Sequence, residues 1–243
     1  PYNTPYDEQG FLVGPASPLY AGFPNFNPVA QALLPRFNTS TVKTLTSINA
    51  TYKFNSELSL KAQASLDYND VKEDQYESSQ TAIGGFLSSV GGQGYGIFSA
   101  NNYSNTDYYL TLTYNKKISD KHTLDVVAGT EFYRNYSIGG SVEGRLFPSD
   151  DFTYIGSAGI VDDGSSFKSP PHSILSFFGE ARYDYEDRIL VTASIRTDGS
   201  SNFGANNRFG YFPAISAAWR VSQEKFFHSN FVDDLKVRGS FGL

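Results

Sequence analysis

The sequence predicts an all-β fold: an antiparallel up-and-down transmembrane β-barrel, present here as a segment of roughly eight strands. Three observations predict it. Apolar and polar residues alternate at period two over stretches longer than the roughly 9–11 residues that cross a bilayer at a tilt. The connections alternate between mostly short turns and mostly long loops, the asymmetry of an outer-membrane barrel. The aromatics on the apolar faces gather at the two ends of the strands. Tyr52, Phe54, Tyr114, Tyr183, Tyr185 and Trp219 lie near short turns, and Tyr68, Tyr108, Phe132, Tyr136, Phe209 and Tyr211 near long loops. Between them the same faces carry aliphatics such as Leu60, Leu110, Val126, Val191 and Ile215. Amphipathic rings favour the membrane interface, whereas a soluble sandwich would bury its rings in mid-strand.

Composition agrees with this class. Among 243 residues, charged side chains make up 18 %, below the roughly 25 % of ordinary globular proteins. Aromatics reach 16 %, with 17 Tyr and 20 Phe. The absence of Cys excludes a disulfide framework and a thiolate metal site. A net charge of −6 argues against a nucleic-acid footprint. No apolar run is long enough for a transmembrane helix. The sequence opens on Pro1 and contains no Met, which reads as a processed or cut chain.

Residues 1–40 are dense in Pro and read as an irregular outer loop segment, with one helical turn over 28–34. From Thr41 to Lys53 and again from Leu58 to Asn69 the alternation is clean, and Asn55-Ser56-Glu57 turns the chain between them. Residues 70–105 lose the period and read as a long outer loop, acidic first and then Gly-rich. A second hairpin spans 106–136 around KKISDKH, followed by a second long loop over 137–172. A third hairpin joins 173–185 to 189–197 through Glu186-Asp187. The short loop 199–207 leads to a strand ending at Val221. Residues 222–234 read as a helical turn, and 235–243 start an eighth strand. The barrel wall is thus assigned to 41–243.

The chemistry-bearing candidates are few. Lys43, Lys53, Lys61, Asp67, Asp107, Asp125, Glu131, Arg188, Arg196 and Arg220 occupy the polar faces and read as barrel lining. Phe86, Tyr95, Phe98 and Tyr103 sit among glycines in the first long loop. They are candidate substrate- or lid-contacting residues, because rings stack on sugars and glycine lets backbone approach closely. Asp150-Asp151 and Asp162-Asp163-Gly164 offer hard oxygens to Ca²⁺, but the full loop pattern is missing and no cofactor is expected. His122, His172 and His228 lack metal-ligand spacing. GGQGYG lacks the Lys-Ser/Thr of a phosphate loop. No catalytic constellation is found, so no enzyme is expected; His172 is the one histidine near a long loop that a rim hydrolase would need.

One stretch is specific. DGSSNFG at 198–204, followed by NNRFGYFPAISAAWRVSQE at 206–224, resembles the signature of the SusC/RagA family of TonB-linked outer-membrane transporters of Bacteroidetes. The matching positions are Asp198, Gly199, Phe203, Gly204, Asn207, Arg208, Gly210, Phe212, Pro213, Trp219 and Arg220. DLKVRGSFGL at 234–243 resembles the strand that follows, and NPVAQALL at 27–34 is a weaker match. Asn202 departs from the pattern, where a basic residue is expected. The resemblance implies a wall of about 22 strands around an N-terminal plug, of which this chain would supply a middle-to-late portion. It implies import of oligosaccharides or peptides across the cell outer membrane, under a SusD-like lipoprotein lid. TonB-ExbB-ExbD would act through a plug domain absent from this chain. The implied surroundings are the lipid bilayer and no nucleic acid. The alternatives are a small self-contained barrel, porin-like or enzymatic, and a soluble β-rich carbohydrate-binding module.

Overall fold

The computed structural model describes residues 6–10, 27–87, 93–162, 164–204 and 207–243. These described residues form one ten-stranded antiparallel sheet. Helix α1 (Pro28–Leu33) comes first, capped by Asn27, whose side chain accepts from the backbone N–H groups of Val29 and Ala30. The strands that follow are β1 (Arg36–Lys53), β2 (Leu58–Glu77), β3 (Tyr95–Ser119) and β4 (His122–Arg145). Two short strands, β5 (Ile160–Val161) and β6 (Ser165–Lys168), fold back onto β4. The remainder is β7 (His172–Tyr185), β8 (Ile189–Ser200), β9 (Phe209–Arg220) and β10 (Lys236–Gly242). The order β1-β2-β3-β4-β7-β8-β9-β10 follows the chain, with β5 and β6 paired to β4 off that path. β1 and β10 stand at the two ends of that order and do not pair.

Register fixes the two faces. Across β7, β8 and β9, Tyr183 stands opposite Val191 and Val191 opposite Ala217; Ala181, Ala193 and Ile215 form the next row. Trp219 pairs with Ile189. These belong to the apolar, aromatic-rimmed face. The intervening rows join Asp125 to Arg182 to Thr192 to Ser216, and Glu131 to Ser176 to Asp198. The parity read from sequence therefore holds across β7, β8 and β9. The apolar face is open: Ile195 and Ile215 each keep 54 % exposure and Leu110 keeps 43 %. Only Ala30, Tyr76, Phe147 and Leu190 are buried apolar residues among the described ones. A water-soluble sheet would cover such a face; lipid covers it in a barrel wall.

Three expectations need correction. The loop assigned to 70–105 is much shorter, because β2 runs to Glu77 and β3 begins at Tyr95. The loop assigned to 137–172 likewise yields to β4 as far as Arg145, then to β5 and β6. β1 also begins at Arg36, inside the segment read as irregular. The reason is physical. Period-two hydropathy marks a strand with one wet and one oily face. β2, β3 and β4, at 20, 25 and 24 residues, continue past the length a bilayer needs. Beyond the lipid both faces are wet, so the ladder persists while the alternation vanishes.

The turns are built locally. Asn55 Oδ1 accepts from the N–H groups of Glu57 and Leu58, each at 2.8 Å, which turns β1 into β2. Glu186 and Asp187 take positive φ of 50° and 56°, as a tight hairpin turn requires. Asp184 Oδ1 accepts from Asp187 N at 2.8 Å and offsets part of the strain. The connection after β9 carries a 3₁₀ turn over Val221–Gln223, the front of the helical turn expected at 222–234.

Contacts divide the chain into two compact units. One comprises 1–43, 68–103 and 137–169, and the other 44–67, 104–136 and 170–243. The first unit owns a small core: Tyr76 and Phe147 meet edge to face at 5.0 Å, and Thr81 is buried as well. The second unit has almost no apolar interior, and its buried polar residue Ser176 belongs to the ion-paired face.

Candidate functional site

The polar face of the second unit is organised by Arg196. Its Nη2 donates to Glu131 Oε2 at 2.6 Å and to Ser176 Oγ at 2.9 Å, and its Nε donates to Asp198 Oδ1 at 2.8 Å. Tyr109 donates its hydroxyl to Glu131 Oε1 at 2.8 Å. The register explains the meeting. Glu131, Ser176 and Asp198 share one row, and Arg196 sits one row away across from Phe178, whose ring lies 5.9 Å beneath the guanidinium. Of the lining residues expected from sequence, Glu131 and Arg196 come together here. Asp107 lies toward the same group and keeps Oδ1 buried without a hydrogen-bond partner. Further along, Asn105 Oδ1 accepts from Tyr133 Oη at 3.2 Å and from Asn135 Nδ2 at 2.6 Å. At the end of the face nearest the short turns, Arg188 pairs with Glu186 and with Glu224, the latter at 3.0 Å.

The first unit has polar contacts of its own. Tyr95 donates to Glu143 at 2.7 Å, Ser99 to Glu73 at 3.1 Å, and Arg145 clasps Asp162 through Nε and Nη2 at 2.9 and 2.6 Å. Burial and the bond to Glu143 push the Tyr95 hydroxyl up to about 12, so it stays a donor. The connection after β2 is pinned by Asp150. Its carboxylate accepts from Tyr76 Oη, Ser78 Oγ, Ser79 N and Ser79 Oγ at 2.8–3.0 Å. Burial alone would raise the Asp150 carboxyl, but the donors from Ser79, Tyr76 and Ser78 outweigh it and hold it low. Burial, then the bond to Asp150, pushes Tyr76 up.

The four aromatic candidates do not form one cluster. Tyr95, Phe98 and Tyr103 all lie on β3. Strand parity puts Tyr95 and Tyr103 on the polar face, roughly 26 Å apart at about 3.3 Å per residue, and Phe98 on the opposite face. Phe98 and Tyr103 are exposed, whereas Tyr95 is engaged by Glu143. Phe86 is carried by the π-helical turn Ile83–Leu87, and its side chain falls outside the described part.

The signature residues have structural work. Asp198 holds Arg196. Gly199 faces Phe209, and a Cβ there would meet the ring at 2.6 Å. Gly210 lies beneath the Phe212 ring. Ser200 N donates to Arg208 O, and Asn207 N to Gly204 O, which closes the turn that carries exposed Phe203. Pro213 accepts from Leu243 N. Trp219 Nε1 donates to Glu224 at 3.0 Å, and Arg220 N donates to Arg188 O.

Asp150 spends its oxygens on the loop, Asp162 on Arg145, and Asp163 lies outside the described residues. No group of three His, Asp or Glu suited to a metal ion occurs among the described residues. His122 contacts Tyr183 at 2.5 Å and His228 contacts a backbone carbonyl. His172 Nε2 meets Ser200 Oγ at 3.2 Å. Among the described residues no carboxylate orients its other ring nitrogen, as an activated serine would need. Sequence reasoning missed Glu73, Ser99, Tyr76, Glu143 and the Asp150 hub. The one available signal was parity: Glu73 and Ser99 both fall on the polar face when the strand count is carried through the assumed loop.

Comparisons with known proteins give a consistent picture. The family described as "TonB dependent receptor-like, beta-barrel" matches residues 1–242. A TonB-dependent receptor of Formosa agariphila is 27 % identical over 97 % of this chain and 26 % of its own length. The TonB-dependent receptor SusC of Bacteroides thetaiotaomicron is 28 % identical over 92 % of this chain and 22 % of its own. The solved structure of the RagAB peptide transporter superposes with a TM-score of 0.83 at 21 % identity, over 98 % of this chain and 26 % of that one. The chain spans about a quarter of the length of these relatives.

Proposed function

Because this chain belongs to the TonB dependent receptor-like β-barrel family, we propose that it forms part of the wall of an outer-membrane importer for peptides or oligosaccharides. The observation that carries the proposal is the division of one sheet into two solvents. One face exposes Ile195, Ile215 and Leu110 inside an aromatic rim. The other is laced by Arg196 with Glu131 and Asp198 and by Arg188 with Glu224. Lipid suits the first and a wet lumen the second. The work is mechanical rather than chemical. Substrate is held under a SusD-like lid, TonB-ExbB-ExbD pulls on the plug, and this wall supplies lining and outer connections. The exposed Phe98 and Tyr103, with the connections at 78–94 and 146–171, are the parts offered to lid or substrate.

The test is uptake in the native host. Deleting the gene is expected to abolish energy-dependent uptake from defined peptide or oligosaccharide pools, and complementation to restore it. Replacing residues 79–93 with a short turn keeps β2 and β3 intact. It should leave the barrel assembled while reducing uptake or co-purification of the lid lipoprotein. Unchanged uptake and unchanged co-purification would remove the role of that connection. Labelling by a serine-reactive probe, lost in Ser200→Ala, would favour the enzymatic alternative instead, with His172 as the neighbour of that hydroxyl.

A further inference from the structure

At the long-connection end of the apolar face, a hollow of about 320 Å³ lies between β4 and β9. One row of the ladder builds it: Phe132 stands opposite Leu175, Leu175 opposite Gly199, and Gly199 opposite Phe209. The three apolar side chains keep 36–46 % exposure. Ser173 and Ser201 close the hollow beyond that row, with Ser173 N donating to Ser201 Oγ at 2.9 Å. Arg208 lines it too. Arg134 stands opposite Ser173 in the ladder, and side chains so placed are about 5 Å apart at Cβ. Neither guanidinium makes an ion pair or hydrogen bond among the described residues, whereas Arg145, Arg188 and Arg196 are each matched to a carboxylate. The strands on both sides of β4 and of β9 belong to this chain.

The depth of the row is set by the strands. On β9 the apolar-face rings at the two ends are Trp219 and Phe209. They are about 33 Å apart along the strand at about 3.3 Å per residue, and about 25 Å apart across a membrane at a tilt of about 40°. That is the height of the apolar band of an outer-membrane barrel, so Phe132 and Phe209 sit at its edge. Arg134 lies two positions beyond Phe132, about 7 Å further along the strand, where lipid headgroups begin. β4 and β9 are three strands apart, roughly 14 Å, so one headgroup is within reach of both long side chains. Cations held over an oily hollow without a counter-charge favour an anion there.

We propose that this hollow seats a phosphorylated glycolipid of the outer leaflet. Its phosphate lies between Arg134 and Arg208, its sugar hydroxyls meet Ser173 and Ser201, and an acyl chain runs over Phe132, Leu175 and Phe209. The inference rests on the outer-membrane reading, which turns this rim toward the outside of the cell. Lipid is the occupant because the hollow is continuous with the lipid-facing wall: β8 and β9 expose Ile195 and Ile215 on the same face. The two guanidiniums select an anionic headgroup, since they bind phosphate through paired N–H donors and a zwitterionic headgroup would bring a cation of its own.

The experiment uses the full-length protein, extracted from outer membranes in mild detergent, washed of loose lipid and weighed by native mass spectrometry. Assembly of each variant is checked by the mobility shift of the unheated barrel. The expected result is one retained phosphorylated glycolipid per barrel, identified by its mass after release. In R134Q/R208Q that adduct should fall by about tenfold, as the charge-assisted contacts to phosphate are lost. K225Q, in the connection at the opposite end of β9, should leave it unchanged. Equal retention in R134Q/R208Q overturns the proposal. So does equal loss from K225Q, a glycerophospholipid in place of the glycolipid, or no lipid on an assembled barrel. Fractionation of the cell envelope is run alongside: a barrel found outside the outer membrane fails the reading on which the site rests, whereas the adduct masses judge the site itself.

Discussion

At the scale of single residues, electrostatics gives the sharpest expectations. Arg196→Ala would leave Glu131 and Asp198 facing each other without their shared donor. The guanidinium is partly exposed, so water screens part of the loss and about 1–2 kcal/mol is expected. Thermal unfolding in detergent checks this, and Arg196→Lys should recover only part, since one ammonium cannot fork to both carboxylates and Ser176. Asp150 sets a pH dependence. Its carboxyl is held low in the folded state, so it stabilises the 76–81 region above the unfolded carboxyl value and loses that contribution as pH falls through the folded one. The protection factor of the Ser79 amide, exchange corrected for its intrinsic pH dependence, should therefore fall as the pH drops below the unfolded carboxyl value, and Asp150→Asn should show a lower one already at pH 7.

At the scale of elements, parity is the testable property. Ala193 lies between Ala181 and Ile215 on the apolar face, and neighbouring Ser194 lies between Glu180 and Ala214 on the polar one. Ala193→Arg should cost about 2–4 kcal/mol where lipid is thickest, and Ser194→Arg should be tolerated. Similar losses from both would contradict a lipid-facing wall; assembly yield and unfolding midpoints measure it. Gly129 and Gly199 make a second test. Each faces a ring across the ladder, Phe178 and Phe209, and a Cβ would stand 2.5 and 2.6 Å from it. Gly199→Val is expected to lower assembly yield more than Gly204→Val, where nothing lies within 4 Å. Much of this was legible in sequence. β8 and β9 were readable because lipid imposes alternation on every second residue. The outer halves of β2, β3 and β4 were not, because Asp70, Lys72 and Asp74 share a face that no lipid touches. The Asp150 hub was unreadable for another reason: it joins residues more than seventy positions apart through a carboxylate that looked like a solvated turn.

At the scale of the whole molecule, the sequential strand order carries a consequence in time. Closing a chain costs entropy that grows with the length closed. Between β1 and β2, β3 and β4, and β7 and β8 only a few residues need ordering; between β2 and β3, or β4 and β7, many more do. The three short-turn hairpins should therefore form early as independent units, with the long connections recruited afterwards. The left-handed pair Glu186–Asp187 marks the β7–β8 hairpin as one such starting point. Pulse-labelling during membrane insertion should show protection of β7 and β8 before that of the β4–β7 pairing.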